Sequence, residues 1–267
     1  MLRGLYTAGI GMMAQMQRMD VTTNNLANAD TAGYKKDTVI TRSFSDELTM
    51  RLNDQGGIAG FPGRTGVIGM NGAAGIGNIS QGLFVDTVLT NFANGTPRGT
   101  GSDMDFALNG DGFFTVYIPA GPSGGQTVYT RDGSFTLTPD GHLATLSGGF
   151  VMGQNGPVTV GPGGFSVDKD GAVSQGGRTI DHLNIAGFAD NQTLRKLGNN
   201  LFAATPQSAP KAFQGTVEQG FLEASNVNAV SEMVDMIALS RAYEANARVV
   251  TAYDTLMGHT ANDIGRV

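Results

Sequence analysis

Residues 1–35, MLRGLYTAGIGMMAQMQRMDVTTNNLANADTAGYK, decide how this chain is organised. Apolar or small residues recur there at alternating spacings of three and four, at Leu2, Leu5, Gly9, Met12, Met16, Met19, Thr23 and Leu26. This spacing predicts a helix with one apolar seam that packs lengthwise against other helices. The asparagines of Asn24-Asn25-Leu26-Ala27-Asn28 are poor helix formers, and Gly33 can adopt the left-handed conformation that often follows a helix. The sequence therefore predicts a long helix with a defined end.

The composition favours a turn-rich protein and argues against several functions. The 267 residues include 40 glycines and only 15% charged residues, and glycine weakens both helices and strands. A net charge of −6 argues against a nucleic-acid partner, because phosphate binding needs clustered Lys and Arg. The absence of cysteine excludes disulfides, thiolate metal sites and thiol nucleophiles. No run reaches the roughly 18 apolar residues of a membrane helix, so we expect no membrane span.

Residues 4–17, behind the single Arg3, also have features of a secretory signal peptide. However, Gln15 and Gln17 interrupt the apolar region, and no clean small-x-small cleavage site follows it. The heptad spacing accounts better for the same methionines.

Residues 36–78 are predicted to form a glycine-rich extended arm or linker. Thr38-Val39-Ile40 predicts a short strand, and Phe44, Leu48 and Leu52 predict one face of a modest helix that begins near Ser43 or Ser45. From Gly57 to Gly75 every third residue is glycine, as in collagen. A triple helix needs many more repeats and abundant proline, so a flexible arm is the better interpretation.

Residues 79–225 are predicted to form a central β domain. Candidate strands are 105–108, 113–118, 128–131, 134–137, 143–146, 165–167 and 180–188. The dipeptides Asp111-Gly112, Asp132-Gly133, Asp140-Gly141 and Asp170-Gly171 are typical of hairpin turns, which require positive φ. The predicted core comprises Phe106, Phe113, Val116, Phe135, Leu137, Leu143, Val167, Leu183 and Ile185. This many short strands predicts a compact antiparallel domain.

The last segment is predicted to be a second long helix. Ser225-Asn226-Val227-Asn228 offers several N-caps, residues 229–257 contain no glycine or proline, and Gly258 is expected to end the helix. Its seam is Glu232, Met236, Leu239, Tyr243, Asn246, Val250, Tyr253 and Met257. A second stripe beside the seam is Val234, Ala238, Ala242, Ala245, Val249, Ala252 and Leu256. This apolar arc is too wide for one partner.

No pattern in the sequence indicates an active site. His142, His182 and His259 lie far apart, and Asp168-Lys169-Asp170-Gly171 lacks the glutamate that closes a calcium loop. The chain has no phosphate-binding loop and no Gly-x-Ser-x-Gly nucleophile motif. We therefore expect no catalytic residue, metal or cofactor.

The predicted fold class is α+β, with an antiparallel β-rich centre flanked by N- and C-terminal helices. One interpretation is a two-helix hairpin packed on its own β domain. The other is self-assembly, because two exposed apolar stripes need a partner and a contact repeated from copy to copy gives a helical filament. A secreted binding module would explain the β domain and the arm but gives no role to two terminal heptads.

Three motifs resemble those of the bacterial flagellar axial proteins, the family of rod, hook and hook-associated subunits. The first is Asn24-Asn25-Leu26-Ala27-Asn28 with Thr31, Gly33, Tyr34 and Lys35. The second is Leu108-Asn109-Gly110-Asp111-Gly112-Phe113-Phe114 with Tyr129-Thr130-Arg131-Asp132-Gly133-Ser134-Phe135. The third is Glu223-Ala224-Ser225-Asn226-Val227-Asn228 with Glu232, Met233, Ile237 and Arg241-Ala242-Tyr243-Glu244-Ala245-Asn246. The single modest β domain is more similar to a rod subunit than to a hook subunit, in either a proximal or a distal position.

The resemblance implies a structural rod subunit of the flagellar basal body that transmits torque from motor to hook. It implies export across the inner membrane by the flagellar type III apparatus, without a cleaved signal peptide. The implied partners are copies of itself and other axial proteins of rod and hook, with peptidoglycan or surrounding rings nearby.

The resemblance also implies that residues 1–35 and 226–267 pair as a coiled-coil-like axial domain. We expect the assembly interface to comprise Leu2, Leu5, Met12, Met16, Met19, Asn24, Asn25, Leu26, Asn28, Met236, Leu239, Tyr243, Asn246, Val250, Tyr253 and Met257.

Overall fold

A computed structural model describes residues 2–43, 47–51, 74–79, 82–119 and 125–264, and confirms the α+β class. The helices of this described part are α1 (Leu2–Ala27) and α2 (Ala229–Ile264). The strands are β1 (Asp37–Ser43), β2 (Glu47–Arg51), β3 (Ala74–Ile79), β4 (Leu83–Thr90), β5 (Pro97–Gly99), β6 (Phe106–Gly110), β7 (Phe113–Ile118), β8 (Gln126–Thr130), β9 (Phe135–Leu137), β10 (Leu143–Thr145), β11 (Phe150–Gly153), β12 (Gly156–Pro157), β13 (Ser166–Val167), β14 (Ala172–Gln175), β15 (Arg178–His182), β16 (Ile185–Phe188), β17 (Arg195–Gly198), β18 (Leu201–Ala203), β19 (Pro210–Ala212), β20 (Gly215–Gln219) and β21 (Phe221–Glu223). A short 3-10 turn spans Asn191–Thr193.

The bounds of the two helices follow from their flanking residues. Helix α1 ends in the asparagine-rich segment as predicted, and Gly33 adopts a φ of 67° beyond it. Helix α2 begins after Asn228, whose side-chain oxygen accepts the backbone N–H of Ser231 at 3.1 Å. The predicted end at Gly258 is wrong, because α2 continues to Ile264. A single glycine costs a helix only about 1 kcal/mol, which does not stop it.

The chain divides into two compact units. The first contains the described residues of Met1–Asp20, Val39–Val88 and Met236–Val267. It holds most of both helices and the antiparallel ribbon of β2 and β3. The predicted helix near residues 43–52 is wrong, because Glu47–Arg51 is a strand paired with a segment more than twenty residues away. Phe44, Ser45, Leu52 and the glycine repeat up to residue 73 lie outside the described residues.

The second unit, Val21–Thr38 and Leu89–Asp235, is built on a ten-stranded sheet. The strands of its main path run in the order β17-β18-β8-β7-β11-β10-β9, with β12 beside β11 and with β16 joining β7 to β19. A smaller sheet of β13, β14 and β15 and the pairs β6–β20 and β5–β21 complete the unit. Strand pairing is antiparallel, as predicted.

The core of the second unit contains most of the predicted residues. Phe106, Phe113, Val116, Phe135, Leu143, Val167 and Leu183 are buried. Ile185 is half-buried, and Leu137 is 39% exposed, so its assignment to the core is wrong. Leu137 lies on β9, an outer strand of the sheet path, which leaves its side chain uncovered.

Only two of the four Asp-Gly dipeptides form the predicted hairpin turns. Gly141 joins β9 to β10 and Gly171 joins β13 to β14, both with positive φ. The glycines of the other two dipeptides, Gly112 and Gly133, do not separate paired strands. Each instead permits a close approach: a side chain at Gly112 would overlap the Phe213 ring, and one at Gly133 would overlap the Phe106 carbonyl.

Candidate functional site: the terminal helices and their junction

Within the first unit, α1 and α2 lie side by side and antiparallel. Gly4 lies against the Tyr253 ring, so that any side chain at position 4 would overlap it. Seven residues further along α1, a methyl group at Gly11 would lie 3.1 Å from Nδ2 of Asn246, seven residues back along α2. The separation of seven residues on each helix matches the heptad spacing of both seams. The two glycines let the helices approach closely because they carry no side chain.

Residues of both predicted seams line one groove, but the close contacts of α1 with α2 are at Gly4 and Gly11, outside the predicted seam of α1. Leu5, Gly9, Met12, Met13, Met16, Tyr243 and Val250 line one apolar groove. The half-buried members of the predicted interface are Leu5, Met12, Met19, Leu26, Asn28, Met236, Tyr243, Asn246, Val250, Tyr253 and Met257. Asn25 and Leu239 are buried, Met16 and Asn24 are exposed, and the side chain of Leu2 lies outside the described residues.

The second stripe of α2 is exposed except at the half-buried Ala242, and apolar residues beside it are exposed as well. Val234 is 60% exposed and Ile237 is 57% exposed, and Val230, Met233, Val249 and Leu256 are also exposed. Tyr6 and Met13 are exposed on α1. We call the exposed apolar residues of α2 the outer stripe. Single exposed apolar residues are common on proteins, but six of them along one side of a helix indicate an interaction surface, here with the exposed Arg241, Glu244 and Arg248 among them.

Within the second unit, the end of α1 and the start of α2 meet in a polar cluster, here called the junction. Its centre is Asn25, whose side chain is only 1% exposed. Asn25 Oδ1 accepts the backbone N–H of Asp37 at 3.0 Å, and Nδ2 donates to the Asp37 carbonyl at 2.8 Å. Nδ2 also lies 3.3 Å from Oε2 of Glu232 on α2. One amide therefore binds both backbone groups of the outgoing chain and the first turn of the other helix.

The junction contains a buried ion cluster in which one carboxylate serves two cations. Lys35 Nζ lies 2.7 Å from Glu223 Oε1, and Arg131 Nε donates to Glu223 Oε2. The three side chains are between 2% and 4% exposed. Arg131 also donates to the carbonyls of Gly112 and Leu108, and Lys35 donates to the Ala93 carbonyl at 2.9 Å. Such hydrogen bonds are what make burial of charge tolerable.

A second ion pair and an amide bridge join the same two chain segments. Lys36 Nζ pairs with Glu232 Oε1, so consecutive lysines contact two glutamates of the C-terminal segment. Asn226 accepts the backbone N–H of Lys36 at 2.8 Å and donates to the carbonyls of Asn91 and Ala93. The backbone N–H of Gly33 donates to the Glu223 carbonyl at 2.8 Å.

Burial and neighbouring charges shift the pKa values in the junction. Burial alone would raise the pKa of Glu223, but the Arg131 and Lys35 cations hold it below its ordinary value. Burial lowers the pKa of Lys35, although Glu223 opposes this shift. Burial, together with the Asp37 and Glu232 charges, raises the pKa of Tyr34. Its phenol therefore keeps the proton, which it shares between the side-chain oxygens of Asn24 at 2.7 Å and Asn25 at 3.1 Å.

The sequence pattern left some junction residues unassigned. Glu223, Arg131 and Lys35 belong to the family motifs but were not among the predicted interface residues, because nothing local shows that they pair. Lys196 lies outside every motif, and it binds both oxygens of the Asp37 carboxylate at 2.9 Å and lies 4.6 Å from the centre of the Tyr34 ring. Lys196 is a single lysine on strand β17, and no sequence pattern could have predicted this contact.

The described residues contain no cluster of three or more His, Asp or Glu side chains placed to hold a metal. His182 and His259 are exposed, and His142 is half-buried. Over the same ranges, neither helix has a stretch apolar enough to cross a bilayer.

Three family models match this chain in the order of its motifs. The flagella basal body rod protein model matches residues 5–35, the flagellar hook protein FlgE/F/G D1 domain model matches 107–175, and the flagellar basal body rod FlgEFG protein C-terminal model matches 218–264. The flagellar basal-body rod protein FlgG of Agrobacterium fabrum is 33% identical over 96% of this chain and 97% of its own length. The FlgG protein of Borreliella burgdorferi is 31% identical over 100% of both chains.

The chain belongs to the family of flagellar basal-body rod proteins. The flagellar hook-basal body complex protein FlhO of Bacillus subtilis is also similar, at 29% identity over 100% of both chains. This rod protein is a structural subunit of the flagellar basal body and not an enzyme, and a separate secreted binding module is not favoured. It assembles with other axial flagellar proteins.

The matched segments of the rod protein converge in the junction. The first family match supplies Asn25 and Lys35, the second supplies Arg131, and the third supplies Glu223 and Glu232. The three motifs that carried the sequence resemblance are therefore bound to one another by buried hydrogen bonds and ion pairs.

Proposed function

We propose that this rod protein is the repeating subunit of a helical tube that transmits torque from the motor to the hook. Its partners in the tube are further copies of itself and other axial proteins of the rod and hook. The observation that carries this proposal is the uneven burial along α2. The seam residues of α2 are buried or half-buried, whereas Val234, Ile237 and Leu256 of the outer stripe are exposed.

The two faces of α2 have different roles in this proposal. The seam pairs with α1 of the same chain and closes a coiled-coil-like axial hairpin, which the close approaches at Gly4 and Gly11 support. The outer stripe packs against a neighbouring subunit, and its burial contributes about 25 cal/mol for each Å2 of apolar surface. A contact between unlike faces, repeated from copy to copy, generates a helix rather than a closed dimer.

The domain organisation in this proposal has three parts. Residues 1–35 and 226–267 form the axial domain, residues 36–78 form the glycine-rich arm, and residues 79–225 form the β domain. The axial domain lines the tube, and the β domain lies outside it, where it faces peptidoglycan or the rings that surround the rod.

We also propose that the subunit is exported unfolded by the flagellar export apparatus, without a cleaved signal peptide. The supporting observation is that Gly4 and Gly11, in the segment with features of a signal peptide, contact the seam of α2. A cleavage that removed this segment would delete one half of the helix pair.

Substitution of the outer stripe tests the proposed assembly face. Ile237→Asp places a charge that would be buried in the neighbouring subunit, so we expect at least a tenfold loss of sedimenting polymer. The helical circular dichroism of the dilute protein should stay unchanged, because the Ile237 side chain is exposed in the single chain. Asp235→Asn is the matched control and should polymerise normally, because Asp235 is exposed and lies two residues from Ile237, on the opposite side of the same helix.

Electron microscopy distinguishes the outcomes of this experiment. Tubes formed by the control and absent from Ile237→Asp support the proposal. Normal tubes from Ile237→Asp would show that the outer stripe faces solvent in the assembly and would contradict it.

A further inference from the structure

The buried ion cluster holds unequal charges from three segments. Lys35 comes from the N-terminal segment and Arg131 from the sheet, whereas the single carboxylate, Glu223, comes from the C-terminal segment. All three side chains are almost completely excluded from solvent. Glu223 is the carboxylate in contact with both buried cations, and the exposed Asp111 adds a further negative charge that acts on Lys35.

The contribution of each segment determines which of them can bind first. Glu223 is compensated by Arg131 and accepts the backbone N–H of Gly95 at 2.7 Å, and neither contact involves the N-terminal segment. Without Lys35, the remaining Glu223 and Arg131 form a neutral pair. The C-terminal segment can thus bind to the sheet alone.

The N-terminal segment has no such charge-compensated state, although Asn200, Asn91 and Lys196 donate to its backbone carbonyls from outside the C-terminal segment. If Glu223 is absent, Lys35 is buried beside the Arg131 cation with no carboxylate in contact, and an unpaired buried charge is strongly destabilising. Of the two acidic residues of this segment, Asp37 is already paired with Lys196 and Asp30 is exposed. Lys36 and Asn25 would lose Glu232 at the same time, since it lies in the first turn of α2, directly after the C-terminal segment.

We infer that the junction is an ordered latch, in which the N-terminal segment 28–38 can bind only after the C-terminal segment 221–228 has placed the Glu223 carboxylate between Lys35 and Arg131. The coupling free energy between the two segments is reciprocal, as any such coupling must be. Their populations differ, because the state with only the C-terminal segment bound is charge-compensated and the state with only the N-terminal segment bound is not. The partly open form of the subunit therefore has a free N-terminal end and a bound C-terminal end.

Hydrogen exchange of the full chain tests this order. Glu223→Gln should increase exchange of residues 28–38 by about a hundredfold, although the substitution lies in the other segment. Lys35→Met should leave residues 221–228 protected, because Glu223 keeps Arg131. The double variant Lys35→Met with Glu223→Gln should restore part of the protection of 28–38, because it removes the Lys35 cation, while Arg131 stays without a carboxylate.

Two controls separate an electrostatic latch from general loss of structure. Glu218→Gln makes the same chemical change on β20 and should leave both segments protected. Strand β7 should remain protected in every variant, since it lies within the sheet. If Glu223→Gln also exposes β7, exchange of 28–38 is compared with exchange of β7 in the same variant: faster exchange of 28–38 supports the latch, and equal exchange overturns it.

Three results would overturn the inference. The first is full protection of 28–38 in Glu223→Gln. The second is release of 221–228 by Lys35→Met to the same extent as 28–38. The third is a double variant in which 28–38 exchanges as fast as in Glu223→Gln, which would mean that lost packing rather than charge opens the segment.

Discussion

The junction and the outer stripe use opposite chemistry on the same two helices. In the junction, Asn25, Lys35 and Glu223 are polar or charged and buried, and each has specific partners. In the outer stripe, Val234 and Ile237 are apolar and exposed. Hydrogen bonds and ion pairs depend on distance and angle, so the junction fixes one arrangement of the chain ends. Apolar burial is not directional, so the outer stripe can stabilise contacts between subunits without fixing one geometry.

The largest expected effect comes from Gly33, which lies at the entrance to the junction. Its φ of 67° disfavours any β-branched residue, and a side chain there would lie 2.5 Å from the backbone of Arg131 and Asp132. Gly33→Val should lower the free energy of unfolding by about 4 kcal/mol. Urea denaturation, followed by circular dichroism, measures this loss.

Gly148 provides the matched control for Gly33. Its φ is also positive, at 84°, but the space around its missing side chain is open. Gly148→Val should lower the free energy of unfolding only by the backbone strain, about 1–2 kcal/mol. Equal losses in the two variants would show that the close approach at Gly33 contributes nothing.

A smaller loss is expected from the central amide of the junction. Asn25→Leu keeps the side-chain size but leaves the backbone N–H and carbonyl of Asp37 without their partners. Two unsatisfied buried groups should cost about 2–3 kcal/mol, again by urea denaturation. Gln17→Leu is the control, because Gln17 is an exposed amide on the same helix and its replacement should cost less than half as much. A cost for Asn25→Leu no greater than that of Gln17→Leu would contradict the specific role of the buried amide.

Acid should weaken the junction before it affects the outer stripe, which lacks ionisable groups. The pKa of Glu223 is lower in the folded chain than the value of about 4.3 expected when unfolded. Its contribution to stability is therefore present above about pH 4.3 and is lost as pH falls through the lowered pKa. Burial raises the pKa of Asp132, so that group acts oppositely and disfavours folding as pH rises from about 3.9 through its folded pKa.

Urea midpoints measured across the acid range separate these two carboxyls. Asp132→Asn removes the carboxyl whose effect opposes that of Glu223. The free energy of unfolding of this variant should therefore fall more steeply with acid than that of the parent chain. The exposed control Glu244→Gln should follow the parent chain. A parent chain whose stability rises continuously below about pH 4 would rule out the charge state assigned to Glu223.

The smallest expected effect lies in α2 beyond the junction. Gly258 is exposed, and open space surrounds its missing side chain. Gly258→Ala should stabilise the helix by about 1 kcal/mol, because alanine favours helices and meets no neighbour. Hydrogen exchange measures this effect: we expect slower exchange in residues 254–262 and unchanged exchange at Asn25. A destabilised helix would show that the glycine at this position is required.

The structure confirms predictions that depended on local pattern. Periodicity of Leu5, Met12 and Met16 predicted α1, and the asparagines with Gly33 predicted its end. Strand β7 matched its predicted range, and Asp140-Gly141 formed its predicted turn, because such signals require only neighbours in sequence. The helix predicted near Phe44 and Leu48 failed because three apolar residues cannot distinguish a helix turn from a strand whose partner lies far along the chain.

The sequence by itself therefore determined the two helices, their apolar faces, the β-rich centre and the family, because periodicity and contiguous motifs are local properties. Only the tertiary structure decided that the seam of α2 contacts α1 while the outer stripe stays exposed. It also decided that Lys35, Arg131 and Glu223, distant along the chain, share one buried site. Their pairing depends on the sheet that carries Arg131 and on the paths of both chain ends, and no spacing in the sequence encodes that geometry.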